Sequence, residues 1–168
     1  DFAKLAELAT EGVLLLCSDS TYAEMDGYTP SEEVVRGAIE RVVAKAESRV
    51  IVATFASLIS RVQMVMDAAV ASRRKVAVVG RSMRNNVAMA LDMGYLTAPD
   101  DLVVPLKEAK RLPHNRLVIL ATGAQGEPTS ALVRMSRGEH KDVEIETGDT
   151  VIISSSPIPG NETLVART

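Results

Sequence analysis

The sequence predicts an α/β domain of three layers, a largely parallel sheet flanked by helices. Two observations carry this prediction. Short apolar runs recur along the chain, most of them bounded by Gly, Ser or Thr, as strands buried on both faces require. Between most of these runs, apolar residues fall at helical spacing, as the crossover helices of a parallel sheet require.

Residues 1–11 read as a short helix, with Phe2, Leu5, Ala6 and Leu8 at helical spacing and Gly12 as its stop. Val13-Leu14-Leu15-Leu16-Cys17 is a continuous apolar run and reads as a buried strand, with Cys17 as an inert core thiol. A polar loop over residues 18–30 follows. Thr29-Pro30-Ser31-Glu32 then offers an N-cap, a proline at the first helical position and a glutamate three residues after the cap. The stripe Val34, Val35, Ala38, Ile39, Val42, Val43 and Ala46 continues that helix.

Residues 49–53 form the next strand, and Leu58, Ile59, Val62, Val65, Met66 and Ala69 stripe the helix after it. Residues 75–79 are a strand ending at Gly80, followed by a helix striped by Met83, Val87, Ala88 and Leu91 with Gly94 as its stop. Leu102-Val103-Val104 reads as a short strand and residues 106–112 as a helical turn. Residues 116–121 are a further buried strand, and residues 131–137 a short helix ending at Gly138. Val143-Glu144-Ile145-Glu146 alternates like a half-exposed strand, residues 150–153 are a buried strand, and a last helix starts near Asn161. That helix meets Thr168 without a cap, and the chain starts as abruptly, so the sequence reads as a segment of a longer protein.

The 168 residues are 46% hydrophobic and 24% charged, enough to bury one sizeable core and not the composition of a disordered chain. No apolar run is long enough to span a bilayer, and the start lacks the cationic flank of a signal peptide. The lone Cys17 excludes a disulfide framework and fits a reducing, cytoplasmic compartment. With His114 and His140 it leaves too few ligands for a zinc site, so metal chemistry is expected from outside this chain. At 3% aromatic residues with no Trp, base stacking contributes little. The formal charge of −3 conceals an asymmetry: residues 1–33 and 85–168 are acidic in balance, whereas residues 34–84 are basic. That middle block reads either as a polyanion-facing surface or as solvated helix faces.

In open parallel α/β sheets, ligands bind outside the carboxyl ends of the strands. The loops expected there share a character: Ser18-Asp19-Ser20-Thr21, Thr54-Phe55-Ala56-Ser57, Gly80-Arg81-Ser82-Met83, Thr122-Gly123-Ala124-Gln125-Gly126-Glu127-Pro128 and Ser154-Ser155-Ser156-Pro157-Ile158-Pro159-Gly160-Asn161. They supply hydroxyls, free backbone N–H groups and one arginine, mostly before helix N-termini, which suits phosphate groups. Glycine and serine are also ordinary turn and cap residues, and none of these loops matches a Walker A or dinucleotide fingerprint. Asp19 follows an apolar run and is flanked by hydroxyls; it reads as an acid–base group or as the cap of a turn.

These motifs, in this order, resemble bacterial ribonuclease J. Ala53-Thr54-Phe55-Ala56-Ser57 followed by Arg61-Val62-Gln63 is similar to the same family, and the resemblance covers nearly the whole chain. Ribonuclease J is a metallo-β-lactamase ribonuclease with an inserted β-CASP domain. The resemblance implies that residues 26–168 are that β-CASP domain and residues 1–25 a flanking piece of the metallo-β-lactamase domain. It implies a two-zinc hydrolase of RNA phosphodiesters, acting from a 5′-monophosphate end or internally, whose metal ligands lie outside this chain. It leaves homo-oligomers of the intact enzyme open.

Asp19 matches the acid of the first β-CASP motif, which supports a histidine handling the leaving-group proton. Ser20, Ser57, Arg81, Ser82, Gln125, Gly126, Ser155, Ser156 and Asn161 are the expected contacts to single-stranded RNA and its phosphates. Two departures stand out. Leu58-Ile59-Ser60 occupies a place where members often carry Asn-Ile-His, and Ala124 one where Ser is usual. Apart from the resemblance, the residues also allow a stand-alone α/β module that binds a nucleotide or phosphometabolite.

Overall fold

The structure, a computed structural model, describes residues 2–168 and divides into two compact units, Asp1–Pro30 and Ser31–Thr168. The first unit holds α1 (Phe2–Glu11) and then irregular chain. Asp1, expected at the head of that helix, lies outside the described residues. The expected strand over residues 13–17 is absent: Val13, Leu14, Leu15 and Leu16 are exposed, and Cys17 is an exposed thiol. A strand exists only by pairing its backbone, and among the described residues this unit has no other strand to pair with.

The second unit carries the sheet. Its elements are α2 (Glu32–Lys45), β1 (Val50–Ala53), α3 (Ile59–Ala71), β2 (Lys75–Val79), α4 (Arg81–Asp92), α5 (Leu106–Ala109), a 3-10 turn (His114–Arg116), β3 (Leu117–Ala121), α6 (Ala131–Ser136), β4 (Thr150–Ile153) and α7 (Glu162–Ala166). The four strands run parallel in the order β2-β3-β1-β4. The predicted α/β class and largely parallel sheet are therefore present.

Every residue of the inner strands β1 and β3 is buried, which is why both read as unbroken apolar runs. Their side chains alternate between two cores. Val50, Val52, Val118 and Leu120 meet Ile39 and Val43 of α2, Val62 to Ala69 of α3 and Met83 and Val87 of α4. Ile51, Ala53, Ile119 and Ala121 meet Ala109 of α5, Leu132 and Met135 of α6, and Val143. The sheet is thus a middle layer with helices on both sides. β4 lies at one edge and alternates half-buried and exposed residues, so the strand expected over residues 150–153 is present but not buried, because an edge position leaves it covered less than β1 and β3.

Three local expectations shift. Helix α2 starts at Glu32, not at Pro30, because the Ser31 hydroxyl accepts the Glu33 N–H at 3.3 Å and Ser31 is the N-cap. Pro30 thus precedes the cap instead of opening the helix. Residues 102–104 form a single parallel bridge, with Val76 N–H donating to Leu102 O and Val104 N–H to Val76 O, both at 2.9 Å. Residues 143–146 keep the predicted alternation of buried Val143 and exposed Glu144 and Glu146, yet form no strand. Val143 packs into the second core, and an apolar anchor at every second residue suffices to set that pattern.

Candidate functional site

The neighbouring strands β2 and β3 leave the sheet toward opposite faces, and this opens a crevice. β2 leads into α4, which packs in the first core, while its neighbour β3 leads into α6, which packs in the second. Where two adjacent strands part in this way, no chain fills the space outside their carboxyl ends. A cleft of about 610 Å³ lies there, lined by Gly80, Arg81, Ser82, Thr122, Arg134 and His140 among others.

The cleft is rich in donors. Gly80 is the N-cap of the 12-residue α4 at φ +102° and has no side chain with which to cap it. The first-turn N–H groups of α4 therefore lack a side-chain cap, at the positive end of the helix dipole. Arg81 and Ser82 are exposed at that end, and Arg81 makes no ion pair among the described residues. Thr122 starts α6 from across the cleft: its Oγ1 accepts the Ala131 N–H at 3.2 Å and its carbonyl the Leu132 N–H at 3.0 Å. Ser130, the N-cap of α6, is left with a buried hydroxyl that has no partner among the described residues. Arg134 is exposed and donates to the Glu139 carbonyl at 2.9 Å.

His140 is half-buried. Its Nδ1 accepts the N–H groups of Asp142 at 3.3 Å and Val143 at 3.2 Å, so the ring proton sits on Nε2. Burial, and then the Arg134 charge, hold its pKa below the ordinary histidine range. Glu127 also lines the cleft and accepts the Gln125 N–H at 3.2 Å.

The loop after β3 reaches across the end of β1 to the loop after β4. Gln125 is 2% exposed and carries that reach. Its Nε2 donates to Ser155 Oγ at 3.0 Å and to the Ser156 carbonyl at 2.9 Å. Its Oε1 accepts the Ile158 N–H at 2.7 Å and the Asn161 amide at 3.4 Å. Ser155 Oγ donates in turn to the Ala124 carbonyl at 2.9 Å. Gly126 has φ +71°, and a Cβ there would stand 2.5 Å from the Leu164 carbonyl, so α7 packs directly on its backbone. Ser156 is exposed, and Ser155 and Asn161 are half-buried.

On the loop after β1, Ser57 is exposed, and the Asn86 amide holds the Ala56 carbonyl at 2.9 Å. Asp19 and Ser20 belong to the first unit, and neither follows a strand there. Asp19 is exposed and closes a turn: its Oδ1 accepts the Thr21 N–H at 2.9 Å and the Thr21 hydroxyl at 2.8 Å. The backbone donor foremost, then the hydroxyl, hold its carboxyl below the usual aspartate range.

The second unit thus brings Arg81 and Ser82 together at one cleft, and Gln125, Gly126, Ser155, Ser156 and Asn161 in one loop pair. Sequence reasoning named Thr122 only as the head of its loop and His140 only in excluding a zinc site, and it passed over Ser130 and Arg134. The signal for Ser130 and Arg134 was an i, i+4 pair opening a helix just after a glycine-rich loop. His140 gave no local signal. Among the described residues, no three His, Cys, Asp or Glu side chains form a set that fits a metal ion. No described helix is long and apolar enough to cross a membrane.

Comparison with known proteins places these features in one family. Residues 47–168 match the family model "Ribonuclease J, beta-CASP domain". The chain is 51% identical over 168 residues to ribonuclease J of Synechocystis sp., covering 100% of this chain and 26% of that protein. It is 51% identical over 165 residues to ribonuclease J of Thermus thermophilus, covering 98% of this chain and 29% of the relative. It is 47% identical over 165 residues to ribonuclease J of Mycolicibacterium smegmatis, covering 98% and 30%. The chain therefore spans under a third of the length of these relatives. The match over most of its length and the parallel sheet with its strand-end loops agree, and the chain belongs to the ribonuclease J family through its β-CASP domain.

Proposed function

We propose that this chain is one wall of the RNA channel in a ribonuclease J-like RNA phosphodiester hydrolase. RNA phosphates lie along the carboxyl edge of the sheet. The observation that carries this reading is the cleft after β2 and β3, where Arg81, Ser82 and the uncapped start of α4 converge. A guanidinium and free N–H groups on a helix N-terminus are the donors a phosphodiester needs.

Ser57, Ser155, Ser156 and Asn161 extend this donor set along the same edge. Gln125 and Gly126 shape it, since the Gln125 amide is already used within the protein. In the first unit Asp19, with Ser20 beside it, is the acid that supports a proton-handling group. Contacts of this kind read the backbone and not the base, so binding is independent of sequence. The enzyme reading brings two zinc ions, a cytoplasmic location and a metallo-β-lactamase partner domain, to which residues 1–25 belong. In this reading the metal ligands belong to the partner domain, since no cluster among the described residues fits a metal ion; this wall binds and orients RNA, and cleavage needs both parts.

The test is titration of the chain with a fluorescent 5′-phosphorylated single-stranded RNA at several salt concentrations. Wild type binds in a salt-dependent way without cleavage. Arg81→Ala weakens binding across sequences and lowers the salt slope by about 0.7, the loss of one phosphate contact. Unchanged binding in Arg81→Ala contradicts the assigned role. Tight binding of a mononucleotide with none of RNA favours the phosphometabolite-binding alternative.

A further inference from the structure

We infer that Gln125 and Arg61 are positioning residues that hold the loop of residues 154–161 in the shape RNA meets, Gln125 without touching RNA itself. This rests on the RNA-wall reading above.

The loop has little means of holding itself. It contains Pro157 and Pro159, which lack an N–H, and Gly160, which has φ +97°. Its last bond to the sheet is Ser154 N–H to the Ala53 carbonyl at 2.8 Å, and its own backbone adds Asn161 N–H to the Ile158 carbonyl at 2.8 Å. The Glu162 carboxylate accepts the Gly160 N–H at 2.9 Å, and two side chains distant in sequence hold the rest of the way between Ser154 and Asn161. Arg61 of α3, 7% exposed, donates through Nη1 to the Ser154 carbonyl at 3.0 Å and to the Ser154 hydroxyl at 2.6 Å. Its other edge takes the Glu32 carboxylate, with Nη2 at 2.7 Å from both oxygens. That bidentate pair fixes the guanidinium plane.

Gln125 then grips the middle of the loop. Both protons of its amide nitrogen are used, on Ser155 Oγ and the Ser156 carbonyl. Its amide oxygen takes Ile158 N–H and the Asn161 amide. The amide is saturated, and a flipped amide would set N–H against N–H at Ile158. β3 and β4 are not neighbours in the sheet, so this grip passes over the end of β1. It couples two loops that no backbone ladder connects. A polar group so placed acts on a ligand only through the residues it holds.

The test uses Gln125→Met, which keeps length and removes every one of these bonds, in the 168-residue chain. Without RNA, exchange of the Ile158 amide speeds up while amides of β1 and β3 stay protected. RNA affinity falls about threefold to tenfold, as for loss of one or two net hydrogen bonds. In a double-mutant cycle, Asn161→Ala costs little further affinity once Gln125 is replaced. Arg61→Lys, which keeps the charge, gives the same loop-specific exchange, so a Gln125→Met chain that fails to fold leaves a second variant to decide. Additive effects in the cycle, unchanged RNA affinity in Gln125→Met, or direct contact of the wild-type Gln125 amide protons with RNA overturns the inference. A wild-type chain that binds no RNA overturns the wall reading and this role with it, whatever Ile158 exchange shows.

Discussion

His140 illustrates how a side chain is tuned by what it accepts. Two backbone N–H groups fix its tautomer, and burial, then Arg134, push its pKa down. The folded state therefore takes up the proton less readily than the unfolded chain. The resulting stability is fully present above the ordinary histidine pKa, near 6.5, and is lost as pH falls through the lowered folded value. An NMR titration is expected to place His140 below free histidine, and thermal melts to show stability lost on acidification that His140→Phe reduces. Asp19 is tuned the same way, as its Thr21 turn favours the carboxylate. Carbon-detected titration is expected to place it below free aspartate, and Thr21→Ala to raise it part of the way back, because the backbone N–H remains.

Residue roles were only partly legible in the sequence. Arg81 and Ser82 are exposed at the cleft where the motif suggested. Gln125 carries the same polar signature but faces inward, and no local pattern says whether an amide in a glycine-rich loop binds a ligand or its own protein.

At the scale of elements, the parallel strands were the most legible part. β1 and β3 are buried on both faces, so packing forces them to be apolar throughout. Helix starts were less legible, since Thr29 and Ser31 are both good caps and only geometry chooses Ser31. Ser31→Ala is expected to cost about 1 kcal/mol of stability in denaturant unfolding, and Thr29→Ala almost nothing. The α7 contact is stricter. Gly126→Ala adds a Cβ against the Leu164 backbone at a positive φ, and is expected to destabilise by about 1–3 kcal/mol, read as a lowered thermal midpoint.

For the whole molecule, the basic block of residues 34–84 proves to be divided. Arg49 pairs with Asp149, Arg61 with Glu32, Arg36 with Glu33 and Asp67, and Lys75 with Asp101, while Arg74 holds the Ser48 and Ala46 carbonyls. Much of that charge ties elements together, and Arg81 is among those left for a polyanion. Sequence distance does not reveal such pairing, since Arg49 and Asp149, 100 residues apart, meet where the parallel strands β1 and β4 start side by side. Residues 13–17 show the complementary limit. Their apolar run signals burial, but a strand forms only when a partner edge is present.

The central claim is that RNA phosphates meet the carboxyl edge of the sheet. The most direct measurement is amide chemical-shift mapping of the chain during titration with 5′-phosphorylated single-stranded RNA. The account predicts shifts concentrated at residues 80–82, 129–134 and 154–161. Shifts confined to the opposite edge of the sheet, or to the exposed faces of α2 and α3, would contradict it.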